Sequence, residues 1–374
     1  MGEAGIPDGI EPLAEVPGLS IRYPIATLGG CVVAADTAVA AALRHRPDVH
    51  SISYLGRADA DPTLHLPHRH WDSAKDPLPY RDVAGALQPA FAQLNLTDPP
   101  PATDAPPVRV AVIDGGFYAL GRHPYLAGIG ERLIGQRDYV DGDDRTDEAT
   151  VHGTRVLALL AAGATYRYRS AAHGCAEFLL LRTENVTTEQ AAELYHLMGA
   201  LEYAVAQDVR LIHLSLGYRP SDGPADRLHR ARLARVLDWV SAQNVLLISS
   251  AGNAAERPVS VPADHPQVLA VGALDVIQNP AAFSSVGVRK PELAAPGVRL
   301  PVVNGYGGQL SALSGTSYSA PLVSALAIRL WYAHPAATAA DLRAALLHGT
   351  GNADRFGLPD YRRAARFLAA HAQR

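Results

Sequence analysis

The sequence is poor in cysteine, in net charge and in long apolar runs, and each shortage excludes a class of protein. Its 374 residues contain two cysteines, Cys31 and Cys175, which are too few for a disulfide framework and form no CxxC pair. The net charge of -4 carries no basic surplus, so we expect no nucleic-acid partner. No uninterrupted apolar stretch reaches about 18 residues, so we expect no membrane-spanning helix and no membrane partner.

What the chain does contain is enough apolar material for a large globular core. Hydrophobic residues make up 48% of the chain and charged residues 19%. The first residues, MGEAGIPDGIEPLAEVPG, are acidic and rich in Pro and Gly, whereas a secretory signal is basic and then apolar. Taken literally, this beginning predicts a cytoplasmic protein without a signal peptide.

The octapeptide SGTSYSAP, residues 314–321, is the most informative local feature. Ser317 lies at its centre, and the apolar spacing of APLVSALAIRLW, residues 320–331, predicts a helix directly after it. A helix N-terminus directs backbone N–H groups and a positive dipole end toward developing negative charge. The competing interpretation is an ordinary N-cap, for which serine is a common residue. A nucleophilic serine needs a base, and the base needs a third group that orients it.

Two further segments supply candidates for those partners. VRVAVIDGG, residues 108–116, predicts a buried parallel strand ending at Asp114, which places this carboxylate at the edge where open α/β sheets bind ligands. VHGTRVLALLAA, residues 151–162, predicts an apolar helix beginning near His152, a residue type that suits a general base at physiological pH. Each has a competing structural interpretation, since Asp114 could cap a turn and a lone histidine is more often structural. The chain order Asp, His, Ser differs from those of chymotrypsin and the α/β hydrolases.

A third strand supplies a candidate for stabilising the oxyanion of acyl transfer. NVLLISSAGNAA, residues 244–255, predicts a buried strand that ends at Gly252 and Asn253. The Asn253 amide and the Ser317 backbone N–H are donors of the kind that an oxyanion requires. The competing interpretation of Asn253 is a turn residue that tolerates left-handed geometry.

These segments resemble those of subtilisin-like serine peptidases, the subtilases, over about residues 80–365. The matching tripeptides are DGG at Asp114, HGT at His152, SLG at residues 215–217, AGN at residues 251–253 and GTS at Ser317. Five such tripeptides in the family's order, each in the predicted context of a strand end or helix start, are specific where one alone is weak. A subgroup with DGGFY, RTEN and SLGY is still more similar, with these phrases at residues 114–118, 182–185 and 215–218. Gly115, Arg155 and Ala158 depart from the family's usual residues outside the triad positions.

The resemblance implies a serine endopeptidase that hydrolyses protein or peptide substrates through a covalent acyl-enzyme and requires no cofactor. It implies that Ser317 is the nucleophile, that His152 is its base and that Asp114 orients the base. It also implies that Asn253 stabilises the oxyanion. The family resemblance favours a secreted protein, against the literal interpretation of the first residues.

The resemblance also implies where the substrate binds. Ser215, Leu216 and Gly217 would pair with the substrate backbone as an added β-strand, a mode that gives affinity with little sequence preference. Ala251 and Gly252 would form the other wall of the pocket for the residue before the cleaved bond.

Alternating strand and helix patterns over residues 108–365 predict an α/β fold with a doubly wound, mostly parallel sheet. The predicted buried strands lie near residues 108–113, 177–182, 210–216, 245–249 and 268–271. The predicted helices cover residues 153–162, 189–207, 226–243 and 320–332, with a final pair beginning near residues 339 and 360.

Residues 1–58 are predicted to form a small N-terminal α+β region. CVVAA, TAVAAALRHRPDV and HSISYL, within residues 31–55, predict a strand, a helix and a strand. This order resembles half of the pro-domain that many subtilases use as a chaperone and intramolecular inhibitor. The alternative is an extension packed permanently on the catalytic domain. We predict a linker and the start of the mature region over 59–107 and the catalytic domain over 108–374, with processing between about Gly56 and Tyr80.

Two polar clusters could hold a metal ion, and the sequence supports neither. His65, His68 and His70, with Asp72, lack the defined spacing of zinc ligands, which favours a solvated linker. DGDDRTDE, residues 141–148, offers carboxylate oxygens for structural calcium but does not match the EF-hand pattern.

Two other functions compete with peptide hydrolysis. One is a catalytically silent subtilase fold that binds peptides, and the other is an esterase or peptide ligase that uses the same acyl-enzyme. Loss of a triad residue or of the oxyanion asparagine would mark the silent form, and all four residues are present. Nucleotide binding is disfavoured because DGGFYALG, residues 114–121, lacks the spacing of GxGxxG.

Overall fold

Alternating β-strands and α-helices make up most of the chain in the computed structural model. It describes residues 13, 15–52, 85–100, 103–120, 123–147, 150–163, 168–185, 191–219, 223–255, 258–303, 310–350 and 356–371. The strands are β1 (Leu19–Ile25), β2 (Gly30–Ala35), β3 (Val108–Asp114), β4 (Leu133–Asp138), β5 (Ala176–Arg182), β6 (Leu211–Leu214), β7 (Leu246–Ser250), β8 (Val268–Leu274), β9 (Leu293–Pro296), β10 (Leu300–Val303) and β11 (Leu310–Leu313). The helices are α1 (Thr37–Leu43), α2 (Gln88–Gln93), α3 (His152–Ala161), α4 (Ala191–Ala206), α5 (Pro224–Ala242), α6 (Thr316–Ala333), α7 (Ala339–Gly349) and α8 (Tyr361–His371).

Seven strands form one sheet in the order β4-β5-β3-β6-β7-β8-β9, in which all neighbouring strands run parallel. The predicted α/β fold is therefore confirmed. The five predicted strands correspond to β3, β5, β6, β7 and β8, and β3 lies near the centre between β5 and β6. The carboxyl ends of these parallel strands meet at one edge of the sheet, where Asp114 ends β3.

Both faces of the sheet are covered by helices, as its apolar strands require. Val110 and Val112 of β3 belong to the core that contains α3, α6 and α7, whereas Ala111 and Ile113 belong to the core that contains α4 and α5. This alternation is the period of two expected along a strand. Helix α6 is almost wholly buried and begins at Thr316, whereas the sequence predicts a helix from residue 320. No helix among the described residues has the length and apolarity needed to cross a membrane.

The N-terminal region forms a hairpin that packs on α4. β1 and β2 pair antiparallel, and α1 follows them. The Tyr23 side chain is buried against α4, where a β-carbon at Gly199 would come within 2.8 Å of its ring. The Glu202 carboxylate accepts hydrogen bonds from the backbone N–H groups of Ala26 and Thr27, at 2.8 and 2.9 Å. These contacts join the hairpin to α4.

The predicted N-terminal elements are confirmed in part. β2 and α1 match the predicted strand and helix, while β1 was not predicted. The predicted strand HSISYL is wrong for residues 50–52, which belong to no strand, and its remainder lies outside the described residues. The histidine cluster at residues 65–72 and the predicted processing segment also lie outside them.

A buried lysine joins three segments at the far side of the sheet. The Lys290 ammonium donates to the backbone carbonyls of His265, at 2.9 Å, and Val268, and lies 3.0 Å from the Glu292 carboxylate. Burial lowers the pKa of Lys290, and the charge of Glu292 counteracts that effect. The ammonium therefore links the loop before β8 to the beginning of β9.

Candidate active site

The predicted site residues converge at the carboxyl edge of the sheet. Asp114 is the last residue of β3, and Asn253 follows the end of β7. His152 is the first residue of α3, and Ser317 is the second residue of α6. Strand ends and helix starts therefore bring together four residues that are far apart in the sequence.

Asp114 and His152 are in direct contact. The His152 Nδ1 atom lies 2.9 Å from both carboxylate oxygens of Asp114. The Asp114 side chain is 1% exposed and the His152 side chain is 22% exposed, so the carboxylate is enclosed while the ring reaches the surface. The Asp114 carboxylate also accepts the Gly115 backbone N–H at 2.8 Å. A carboxylate on Nδ1 favours the tautomer with its proton there, which leaves Nε2 free to accept a proton.

Close packing at the start of α3 brings the histidine to the carboxylate. A β-carbon at Gly153 would clash with the backbone oxygen of Gly116 and would lie 2.9 Å from the Phe117 ring. The Gly153 N–H donates to that same oxygen at 3.0 Å. A glycine is therefore needed after His152 for the helix to approach the loop that follows Asp114.

Ser317 lies in the first turn of α6 and does not cap it. The N-cap residue is Gly315, so the interpretation of Ser317 as an N-cap is wrong. The Ser317 hydroxyl donates to the Ser215 backbone oxygen at 3.2 Å rather than to His152. The His152 ring lies close by, with its centre 6.0 Å from the ring centre of Tyr318. The Ser317 hydroxyl would have to rotate away from Ser215 to donate to His152.

A second hydrogen bond runs in the opposite direction between the same two residues. The Ser215 hydroxyl donates to the Ser317 backbone oxygen at 3.0 Å. In a regular helix that oxygen would accept the N–H of the residue four positions later, which here is Pro321 and has none. The proline inside α6 therefore leaves the Ser317 carbonyl to the side chain of Ser215.

The Asn253 side chain is fixed by Thr316. Its amide oxygen accepts the Thr316 backbone N–H at 2.9 Å and the Thr316 hydroxyl at 3.0 Å. The Thr316 hydroxyl in turn accepts the Gly252 N–H at 3.1 Å. With its oxygen held in this way, Asn253 presents its NH₂ group as a donor. Thr316 is not among the predicted site residues, although its place beside Ser317 in GTS is a usable signal.

The left-handed turn that could explain Asn253 belongs to its neighbour. Gly252 has a φ of 99°, whereas Asn253 is not among the described residues with positive φ. The interpretation of Asn253 as a left-handed turn residue is therefore wrong.

The two predicted substrate-binding segments both pack against Ser260. A β-carbon at Gly217 would clash with the Ser260 hydroxyl, and one at Gly252 would lie 3.2 Å from it. The Ser260 side chain therefore lies between Gly217 and Gly252. Leu216 is buried in the core, so its main chain alone is available to a ligand. Ala251 is also buried, and its backbone N–H donates to Val271 in β8.

The acidic stretch at residues 141–148 is described as far as residue 147. Asp141 and Asp138, which ends β4, both pair with Arg182 of β5. Burial raises the pKa of Asp138, against the effect of hydrogen bonds from Arg182 and from backbone N–H groups. In the part of the chain that the structure describes, no group of three or more His, Cys, Asp or Glu residues is arranged to hold a metal ion.

Taken together, these groups suit acyl transfer. A carboxylate-bound imidazole lies 6.0 Å, ring centre to ring centre, from the residue that follows Ser317, and the Asn253 side chain is bonded to the first turn of α6. The base can accept the serine proton, and the donors can stabilise an oxyanion.

Comparisons with known proteins agree with this chemistry. Residues 107–363 match the sequence model of the subtilase family. Subtilisin DY of Bacillus licheniformis is 29% identical over 242 residues, which cover 63% of this chain and 81% of subtilisin DY. The MycP3 protease of a type VII secretion system has a similar structure, with a TM-score of 0.63 and 23% identity over 77% of this chain and 90% of its own. The prenylagaramide maturation protease PagA gives a TM-score of 0.59 and 25% identity over 75% of this chain and 99% of its own.

Proposed function

The chain belongs to the subtilase family of serine endopeptidases, and we propose that it hydrolyses peptide bonds through a triad of Asp114, His152 and Ser317. Support for the triad comes from the bonds of His152 Nδ1 to both oxygens of Asp114, at 2.9 Å. This contact orients the ring and stabilises the imidazolium that forms when Nε2 accepts a proton. Ser317 lies at the start of α6, where its backbone N–H has no partner within the helix.

The proposed reaction has two stages. In the first stage His152 Nε2 takes the Ser317 proton while Oγ attacks the carbonyl carbon of the substrate. The Asn253 amide and the Ser317 backbone N–H bind the oxyanion, and the imidazolium then gives its proton to the leaving amine. In the second stage water, activated by the same ring, attacks the acyl-enzyme and restores Ser317.

We propose that the substrate backbone lies along residues 215–217, with the side chain before the cleaved bond entering the site beside Gly252. Gly217 is exposed, so its main-chain groups are accessible to a ligand. Ser215 and Gly217 offer main-chain groups, and Leu216 anchors the segment in the core. Protein or peptide substrates therefore fit this site by β-strand addition.

The direct test of the proposed nucleophile is a fluorophosphonate probe, read by peptide mass spectrometry. Labelling at Ser317 of the folded, mature wild type is the expected result. A protein in that state that hydrolyses peptides but labels elsewhere would overturn the assignment, and one that never labels would favour a silent peptide-binding fold. Product analysis with and without an added amine then separates hydrolysis from peptide ligation.

Removal of the proposed oxyanion amide should slow catalysis without preventing binding. For Asn253→Ala we expect kcat to fall by about 10²- to 10³-fold, a magnitude taken from a comparable donor in subtilisin. The loss should appear in kcat rather than in KM, because the oxyanion exists only in the transition state. Steady-state kinetics on a chromogenic peptide measure both constants. Thr316→Ser is the matched control, because it keeps the hydroxyl that holds Asn253. Equal losses in both variants would contradict the assignment.

We propose further that residues 1–58 act as an intramolecular pro-domain, that residues 59–107 link it to the mature enzyme, and that residues 108–374 form the catalytic domain. Packing of Tyr23 against α4 and the hydrogen bonds that Glu202 accepts from Ala26 and Thr27 support an N-terminal region that docks on the enzyme. The alternative is an extension that stays attached.

Self-processing would separate these two forms of the N-terminal region. The intact mass of purified wild type is expected to be lower than that of Ser317→Ala by the mass of an N-terminal fragment, because the variant lacks the nucleophile. If both remain full length while the wild type is active, maturation by self-cleavage is wrong and the region is a permanent extension.

A further inference from the structure

A buried histidine contacts Ser215, the residue to which the candidate nucleophile is hydrogen-bonded. His213 belongs to the central strand β6, is 0% exposed and is otherwise surrounded by apolar strand residues. Its Nε2 atom lies 2.8 Å from the Ser215 hydroxyl, and its Nδ1 atom lies 2.9 Å from the Ser324 hydroxyl of α6. Burial lowers the pKa of His213 to about 3, with the nearby His152 adding to the effect. The ring is therefore neutral at physiological pH.

The directions of these hydrogen bonds follow from counting protons. The Ser215 hydroxyl has one proton, which it donates to the Ser317 backbone oxygen. It must then accept a hydrogen bond from the N–H at His213 Nε2. A neutral imidazole carries one N–H, so Nδ1 is the acceptor and the Ser324 hydroxyl donates to it. The result is a chain of donors that runs from α6 through His213 and back to the first turn of α6.

The Ser317 carbonyl depends on this series of hydrogen bonds because of Pro321. Because the proline has no N–H, the carbonyl of Ser317 would lack its helical donor without the Ser215 hydroxyl. A carbonyl left without a donor away from water destabilises the turn that carries it. The hydroxyl that satisfies it keeps its direction only while His213 donates to it.

We propose that His213 is a positioning residue of the peptidase, which holds the Ser215 hydroxyl as a donor to the Ser317 carbonyl and so fixes the nucleophile against the substrate-binding strand. This inference rests on the proposed function of Ser317. His213 touches neither substrate nor the reacting atoms and acts through Ser215. Misplacement of a nucleophile by about 1 Å can lower the rate by as much as 10²-fold. Loss of such positioning should therefore be measurable as a lower kcat.

Four variants separate positioning from a general contribution to folding. In His213→Gln the amide nitrogen can occupy the place of Nε2 and donate to Ser215, whereas the shorter His213→Asn reaches only the place of Nδ1. His213→Leu removes both polar contacts. Ser324→Ala leaves Nδ1 without its partner on α6, so the ring is no longer held in the orientation that directs Nε2 at Ser215. Each variant is titrated with the fluorophosphonate probe, and kcat is expressed per labelled site.

We expect His213→Asn, His213→Leu and Ser324→Ala to lower kcat per titrated site by about fivefold to tenfold, the effect of one hydrogen bond. KM should stay within about twofold of the wild type, and His213→Gln should recover most of the loss. A merely structural role would lower the melting temperature and the fraction of titratable sites but leave kcat per site unchanged. That result in His213→Asn and Ser324→Ala would overturn the inference even if His213→Leu does not fold. An inactive wild type would instead overturn the proposed function, and the inference with it.

Discussion

Ser317→Ala is expected to abolish peptide hydrolysis while leaving the protein folded. Loss of the nucleophile in a related subtilisin lowers kcat on the order of 10⁶-fold, and a similar loss is expected here. The hydroxyl makes one bond, to the Ser215 backbone oxygen, so its removal costs little stability. Hydrolysis of a chromogenic peptide gives the rate, and a thermal melt confirms the fold.

The matched control for this variant comes from the same octapeptide. Ser314→Ala makes the same chemical change three residues earlier, at an exposed serine whose hydroxyl accepts the Arg299 N–H. It should keep activity close to that of the wild type. Hydrolysis that persists in Ser317→Ala but not in Ser314→Ala would place the nucleophile elsewhere.

Asp114→Asn is expected to lower kcat by about 10⁴-fold, the loss typical of a triad that holds its histidine in the wrong tautomer. The substitution keeps the shape of the side chain, but an amide NH₂ facing Nδ1 favours an imidazole with its proton on Nε2. Such a ring cannot take the Ser317 proton. The variant should fold and bind substrate, so the measurement is kcat against KM on the same peptide.

An exposed acid on the loop between β4 and α3 provides the comparison for Asp114. Asp144→Asn removes the same charge without touching His152, and its activity should match that of the wild type. A tenfold or smaller loss in Asp114→Asn, judged against this control, would mean that the carboxylate does not set the tautomer of His152.

The parts of the fold that were predicted correctly are those determined by local pattern. β3, β5 and β7 are buried on both faces, so their sequences are nearly continuous apolar runs. β4 and β9 were missed because LIGQRD is half polar and LAAP is short and contains proline. Such strands are defined by the neighbours with which they pair.

The residues of the site likewise include some that a local pattern predicts and some that only tertiary packing determines. Asp114, His152, Asn253 and Ser317 stand at strand ends and helix starts, which a pattern of apolar runs and glycines marks in one chain. The partners of these residues depend on packing between distant segments. The hydrogen bond from Ser317 to the Ser215 oxygen joins residues 102 positions apart in the chain. The hydrogen bond from Thr316 to Asn253 joins residues 63 positions apart. His213 had no local signal, because one histidine in a short apolar strand predicts nothing about its neighbours.

The buried lysine at the far side of the sheet has a consequence for the enzyme's surroundings. Two carbonyl oxygens and a carboxylate around one positive charge resemble the oxygen shell of a bound cation. Here the positive charge is covalently part of Lys290 and cannot dissociate from these oxygen atoms. Neither dilution nor a chelator can remove it. The loop that carries His265 leads from Ser260 to β8. At that corner it is therefore held by a charge that the chain itself supplies and that a chelator cannot remove.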